Sequence, residues 1–282
     1  MKSTSKFPFH ACFAVEAPKV VPRTERSPPA GARVPGQSHR MFINVVHACP
    51  NACLFCVDFK GDMFYGFDLK KGHPATADEI IDAVKRYRLL RDVRQVYFCG
   101  IGEPLLRYDA VVESAMRLRP LFACEAMLAV NTSGTFYNWT PSVDFARHFD
   151  LVQVSLNAEN EEKYNQICRP KFRGAYQTLM SFLRHLRRFI DESCISCRVE
   201  LTVVDTSETQ FLPKREWGRN TPKPDLEACR KIAEGFRWPL KTKRLLRDCE
   251  QIEWQSFSQA TQSASTEVKR SSDLTRLGRS AG

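Results

Sequence analysis

Phe42-Ile43-Asn44-Val45-Val46 runs into His47-Ala48-Cys49-Pro50-Asn51-Ala52-Cys53-Leu54-Phe55-Cys56, and the reading of this passage orders the rest of the chain. Its first five residues are β-branched or aromatic around one Asn, the composition of a strand. Pro50 and Asn51 then mark a loop, so three cysteines fall within eight residues directly after a strand. Three thiolates on one loop converge on three irons of a cubane and leave the fourth iron without a protein ligand, open to chemistry. Zinc is the rival, because Cys/His clusters bind it and His47 stands two residues before Cys49. A structural zinc wants a fourth ligand, and Cys194-x2-Cys197 is the pair placed to supply one. Three unrelated core thiols are the remaining reading, a poor one for loop cysteines flanked by Pro and Asn.

Outward from this passage, short β-rich runs alternate with helical patterns. Phe42 to Val46, Gln95 to Cys99, Met127 to Val130, Leu151 to Ser155 and Val199 to Val204 read as strands, each followed by a segment able to form a helix, with a sixth strand near 238–246. That order implies parallel strands joined by crossovers. Thr76 with Glu79 makes a capping box before Ile80, Ile81, Val84 and Leu89, and Tyr176, Leu179, Met180, Leu183, Leu186 and Ile190 keep helical spacing. No Gly-x-Gly-x-x-Gly follows the first strand, so the fold class expected is α/β, an incomplete (β/α)6-type barrel of parallel strands, in preference to a Rossmann sheet.

Residues 1–40 contain Ser-Pro-Pro and scattered Pro and Gly without an apolar period, and from about Ser256 the chain turns Ser/Thr/Gln-rich. The domain plan expected is therefore a disordered leader at 1–40, a folded core at 41–250 and a disordered tail at 251–282. Of the net charge of +10, residues 1–40 carry +5 and residues 251–282 carry +1, which leaves +4 for the core. A nucleic-acid footprint on the core is weak by this measure but open. No apolar run approaches the roughly 18 residues that cross a bilayer, so no membrane partner is expected. Eleven cysteines without a regular framework of pairs imply a reducing compartment, read as cytoplasmic. Organellar import is the alternative, since the leader is basic and acid-poor except for Glu16 and Glu25.

The C-x3-C-x2-C spacing with an aromatic, Phe55, before the third Cys resembles the signature of the radical S-adenosylmethionine (SAM) superfamily. The resemblance implies that Cys49, Cys53 and Cys56 hold one 4Fe-4S cluster and that the open iron chelates the methionine end of SAM. An electron from the cluster then cleaves SAM to methionine and a 5′-deoxyadenosyl radical, which abstracts hydrogen from a substrate. Phe98-Cys99-Gly100-Ile101-Gly102-Glu103-Pro104 follows the second strand and is similar to the family's Gly-Gly-Glu-Pro turn, with Ile101 in place of the first Gly and Gly100 nearby. By the same resemblance Phe55, Gly100, Gly102, Glu103 and Pro104 line the SAM site, joined by Asn131 at the end of strand three and by Ser155 and Asn157 at the end of strand four. Ser155 and Asn157 share a face at strand spacing, as hydrogen bonding to a ribose or a carboxylate requires. Turn and cap roles are the plain alternative for Asn131, Ser155 and Asn157.

A narrower resemblance spans almost all of 41–237. Ser155-Leu-Asn-Ala, Tyr164-Asn165, Cys168-Arg169-Pro170, Thr202-Val-Val-Asp205 and the Cys229-Arg-Lys-Ile-Ala-Glu234 helix look like the TatD-linked radical SAM proteins, from which Gln210 to Lys223 departs as an insertion. The partners it implies are an electron donor such as flavodoxin or ferredoxin, a substrate not identified by any residue, and a TatD-type hydrolase. Arg169 and Arg173 stand ready to pair with a carboxylate, or are solvated surface residues. Three functions compete: a radical SAM enzyme on a small molecule or protein, a radical SAM enzyme on RNA, and a non-catalytic iron–sulfur or zinc module. No residue is singled out as the hydrogen donor.

Overall fold

The computed structural model describes residues 12–16, 39–56, 63–64, 67–68, 73–87, 90–206 and 222–244. They all fall in one of two compact units, Met1–Ala17 with Ser38–Leu245; the other unit, Pro18–Gln37 with Leu246–Gly282, lies outside the described residues. So do Leu89, most of the Gln210 to Lys223 insertion, and nearly all of the leader and the tail.

Six parallel strands form the centre: β2 (His39–Asn44), β5 (Val93–Cys99), β6 (Met127–Thr132), β7 (Leu151–Ser155), β8 (Arg198–Asp205) and β9 (Leu240–Arg244). They lie in chain order, β2-β5-β6-β7-β8-β9, and β9 supplies the sixth strand expected near 238–246. β1 (Cys12–Glu16) pairs antiparallel with β2 at the outer edge, so the sheet stays open. β3 (Met63–Phe64) and β4 (Phe67–Asp68) make a separate two-stranded ribbon.

α1 (Ala77–Lys85) begins with the expected capping box, Thr76 and Glu79 each accepting from the other's backbone N–H. α2 (Tyr108–Leu118) follows β5, α3 (Glu161–Cys168) and α4 (Ala175–Ser193) follow β7, and α5 (Leu226–Gly235) follows β8. α4 buries Leu179, Phe182, Leu183 and Leu186, one face at helical spacing. Against it packs an aromatic group from the β6–β7 connection: Phe136 meets Phe182 at 5.3 Å and Phe145 at 5.9 Å between ring centres. Full burial of each such ring stabilises the fold by about 1.5–3 kcal/mol.

Four expectations need correction. The first strand begins earlier than Phe42 and ends at Asn44, because its neighbour β5 ends at Cys99, where Gly100 (φ 146°) turns away, and the Val45 carbonyl instead accepts from Ala75 N–H (3.0 Å). The segment after β6 forms two short 3₁₀ turns, Thr135–Asn138 and Asp144–His148, with no α-helix, since Gly134 is left-handed (φ 72°) and Pro141 interrupts it. Cys12–Glu16, read within a disordered leader, is a strand, for its Cys-Phe-Ala-Val run pairs with the free edge of β2. The fourth concerns Asn157 and is met at the site.

Candidate functional site

The chain leaves the C-terminal end of β2 and enters the cysteine loop, which is fastened along its backbone. The Ala52 N–H is shared by the carbonyls of Cys168 (3.0 Å) and Arg169 (3.1 Å), Leu54 N–H donates to Ile167 O (2.9 Å), and Lys171 N–H donates to Pro50 O (2.8 Å). The Ile167, Cys168 and Arg169 carbonyls lie in and just beyond the last turn of α3, where helix carbonyls lack internal partners. Arg169 closes that helix in the left-handed conformation (φ 46°). Lys171 Nζ donates to Cys49 O at 3.0 Å, and Asn51 Nδ2 to the Tyr164 hydroxyl at 3.1 Å.

Cys49, Cys53 and Cys56 are half-buried. Burial pushes the Cys49 thiol well up; the Glu103 carboxylate, Cys53 and Cys56 push the same way, so all three lie within its electrostatic reach. The Cys53 thiol shares a hydrogen bond with that of Cys168, both cysteines being free, and this contact, then burial, pushes its pKa up. Among the described residues no three His, Cys, Asp or Glu side chains stand together as a metal cage. The backbone of the loop is fastened, and the Cys53 side chain is turned toward Cys168. Phe55 packs against the core beside it.

Gly100 and Gly102 bring the next turn directly onto this loop. A Cβ on Gly102 would lie 2.2 Å from Val46 O and 2.6 Å from Ala48 O, and one on Gly100 would lie 1.9 Å from Asn44 Oδ1. Glu103 N–H donates to Ala48 O at 2.9 Å. Gly102 is thus required by the backbone carbonyls of the cysteine loop, and Gly100 by its φ of 146° and the Asn44 side chain. Glu103 is buried, and its carboxylate accepts four hydrogen bonds: from Leu105 N–H (3.1 Å), Thr132 Oγ1 (2.8 Å), Ser133 N–H (2.7 Å) and Ser133 Oγ (2.6 Å). Burial raises its pKa in spite of those donors, which act to lower it. Glu103 ties the ends of β5 and β6 together, and Pro104, also buried, opens the 3₁₀ turn Pro104–Arg107.

Along each parallel strand, alternate residues face the helices and the opposite, lumen side. The helix side is apolar: Met41, Ile43, Val96, Phe98, Leu128, Val130, Val152, Val154, Val199, Leu201 and Val203 all join one core. The lumen side carries Phe42 stacked on Tyr97 (5.6 Å), then Asn131, Gln153 and Glu200 in register, and Ser155, Thr202 and Lys241 in the next row. Gln153 Nε2 donates to Glu200 Oε2 (3.0 Å), and Lys241 Nζ pairs with Glu200 Oε1 (2.7 Å). The Asn131 Oδ1 is buried with no partner among the described residues.

Asn131 and Ser155 are therefore placed together on the lumen side, whereas Asn157 is not on a continued strand. β7 stops at Ser155 because the N–H groups of Leu156 and Asn157 both turn to Thr202 O. Asn157 is left-handed (φ 59°) and buried, with Nδ2 toward Cys168 Sγ (3.7 Å) and Oδ1 accepting from Val204 N–H (3.3 Å), so its amide braces α3 and β8. Sequence reasoning missed Tyr97, Gln153, Glu200 and Lys241; the signal was the polar member of each alternation in Val152-Gln-Val and Val199-Glu-Leu.

Residues 43–207 match the family model of the Radical SAM superfamily. The chain belongs to that superfamily. Radical SAM proteins use a 4Fe-4S cluster and SAM, as the cysteine motif implied. Among curated proteins, the chain is 30% identical over 145 residues to the probable dual-specificity RNA methyltransferase RlmN of Prochlorococcus marinus (strain MIT 9303), covering 49% of this chain and 38% of that protein. The RlmN of Parasynechococcus marenigrum (strain WH8102) is 28% identical over 145 residues, 49% of this chain and 40% of its own length. The chain thus spans about two fifths of the length of these relatives. A solved structure of TYW1 with a lysine-pyruvate adduct bound aligns over 77% of this chain and 67% of its own at 13% identity, with a TM-score of 0.48. Among the described residues no helix is long and apolar enough to cross a membrane.

The donor set suits the family's cluster. Three thiols share a backbone-fastened loop at the C-terminal rim of parallel strands, where barrel folds keep their sites, and soft thiolates select iron–sulfur clusters over hard cations.

Proposed function

We propose that the chain is a radical SAM enzyme with Cys49, Cys53 and Cys56 as cluster ligands and a core extending over 41–250. One observation carries the reading: the three-cysteine loop is bound on one side to the end of α3 and on the other to the Glu103 N–H, with Gly102 closely packed beside it, above a polar lumen. A 4Fe-4S cluster and SAM bound there supply a 5′-deoxyadenosyl radical for hydrogen abstraction from a substrate. The chain's own residues position and shield. Gly100, Gly102, Glu103 and Pro104 fix the turn under the ligand, Phe55 excludes water beside the loop, Asn131 and Ser155 offer polar atoms to SAM, and Asn157 keeps the Cys168 end of α3 in place. A flavodoxin or ferredoxin is the electron donor we assign. The stretches quoted above also favour the TatD-linked group and association with a TatD-type hydrolase.

A second reading, RNA as substrate, has a specific feature in its favour besides the names of the RlmN relatives. An open groove of about 550 Å³ beside the cysteine loop is lined by Arg169, Lys171, Phe172 and Arg173, and Phe172 meets Trp139, which is 54% exposed, at 5.0 Å. Cations interleaved with an exposed aromatic suit a single strand of nucleic acid. Salt-dependent tRNA binding by the wild type, weakened in Trp139→Ala, supports RNA; salt-independent binding unchanged by the substitution removes it.

The ligand assignment is tested by anaerobic reconstitution with iron and sulfide. About four irons per chain are expected in the wild type and in Cys194→Ala/Cys197→Ala, and loss of the cluster in Cys49→Ala, Cys53→Ala and Cys56→Ala. Zinc in place of iron, or a cluster that depends on Cys194 and Cys197, contradicts it.

A further inference from the structure

On the lumen face of the six parallel strands, the described residues place four cations, Arg40, Arg198, Lys241 and Lys243, against one acid, Glu200. That acid is already engaged, by Lys241 at 2.7 Å and Gln153 at 3.0 Å. Lys243, two residues along β9 on the same face, makes no hydrogen bond or ion pair with any described residue. It stands in register with Val204, and Cys99, Glu200 and Lys241 lie within its electrostatic reach. Burial lowers its pKa, and burial pushes the Cys99 thiol up to about 12, so near neutral pH that thiol is uncharged and supplies no counter-ion. A desolvated ammonium without a partner is costly, and an anion entering the lumen relieves that cost. Thr202, in register with Lys241, adds a hydroxyl donor on the same face.

We propose that Lys243, with Lys241 and the hydroxyl of Thr202, binds an anionic group of the substrate, a carboxylate or a phosphate, inside the lumen. The word substrate rests on the radical SAM reading; the anion site does not.

The test is calorimetric titration of the full, reconstituted chain, saturated with SAM, with succinate and with inorganic phosphate. The wild type should bind at least one of them, at least tenfold more tightly than Lys243→Gln, with binding regained in Lys243→Arg and unchanged in Arg184→Gln on the outer helix. Preference for succinate assigns a carboxylate, and preference for phosphate assigns a phosphate. If Lys243→Gln does not fold, acetylation of wild-type Lys243 read by mass spectrometry replaces it: the bound anion should slow labelling there several-fold and leave Lys163 unaffected. No binding by the wild type, equal binding by Lys243→Gln, or a tenfold loss of SAM affinity in place of anion affinity overturns the proposal. Anion binding without SAM cleavage keeps this site and removes the enzyme reading, whereas SAM cleavage without anion binding removes the site alone.

Discussion

The two faces of the parallel sheet come from the same strands and differ residue by residue. In β7, Val152 and Val154 enter the core while Gln153 and Ser155 face the lumen; in β8, Leu201 and Val203 do the one and Glu200 and Thr202 the other. The helix side is redundant, since many apolar residues of similar size fill it. The lumen side is sparse, and its polar groups are joined by single hydrogen bonds. The first face decides that the chain folds, and the second decides what it holds.

The largest effect expected is on the first face. Phe136→Ala empties a fully buried site between Phe145 and Phe182 and should cost about 4 kcal/mol in urea denaturation. An effect below about 1 kcal/mol would mean the aromatic group is not a tight core.

Next is the seam where the faces meet. Gly102→Ala sets a methyl group against two backbone carbonyls and should cost about 3 kcal/mol while lowering iron retention after reconstitution. Full iron content in this variant would contradict the close approach of the turn to the cysteine loop.

Glu103→Gln should cost about 2 kcal/mol at acid pH, because one amide cannot accept from all four donors. The sign with pH follows from the raised pKa. Relative to its ordinary 4.5, the group's contribution is full below that value and is lost as pH rises through the folded value. The stability gap between wild type and Glu103→Gln should therefore narrow from pH 4.5 toward 7; a gap that widens would show the carboxyl is lowered by its donors.

The smallest effect belongs to the lumen. Gln153→Met should change stability by no more than about 1 kcal/mol, since it breaks one bond to a Glu200 still held by Lys241. A loss equal to that of Phe136→Ala would erase the distinction between the faces.

The same division explains what could be read in advance. The parallel order, the Thr76 capping box and the position of the cysteine loop were legible, because periodicity and local hydrogen bonding write them into adjacent residues. β1 was not, since a strand that adds to an open edge leaves no mark beyond a short apolar run. The 3₁₀ connection after β6 was missed although Gly134 and Pro141 stood against a helix there. At the site, Asn131 was named through the family resemblance and Ser155 through strand alternation, which failed two residues later when Asn157 turned left-handed. The bracing by Glu103 and the pairing of Cys53 with Cys168 join residues distant in sequence, which no local pattern records.

The claim at the centre is that the loop from Cys49 to Cys56 arms SAM for radical chemistry. It is tested most directly by incubating the anaerobically reconstituted chain with SAM and dithionite and measuring 5′-deoxyadenosine. The account predicts product from the wild type and none from Cys53→Ala. An intact 4Fe-4S cluster that yields no 5′-deoxyadenosine, with or without candidate substrates, would contradict it and leave an iron–sulfur module without this activity.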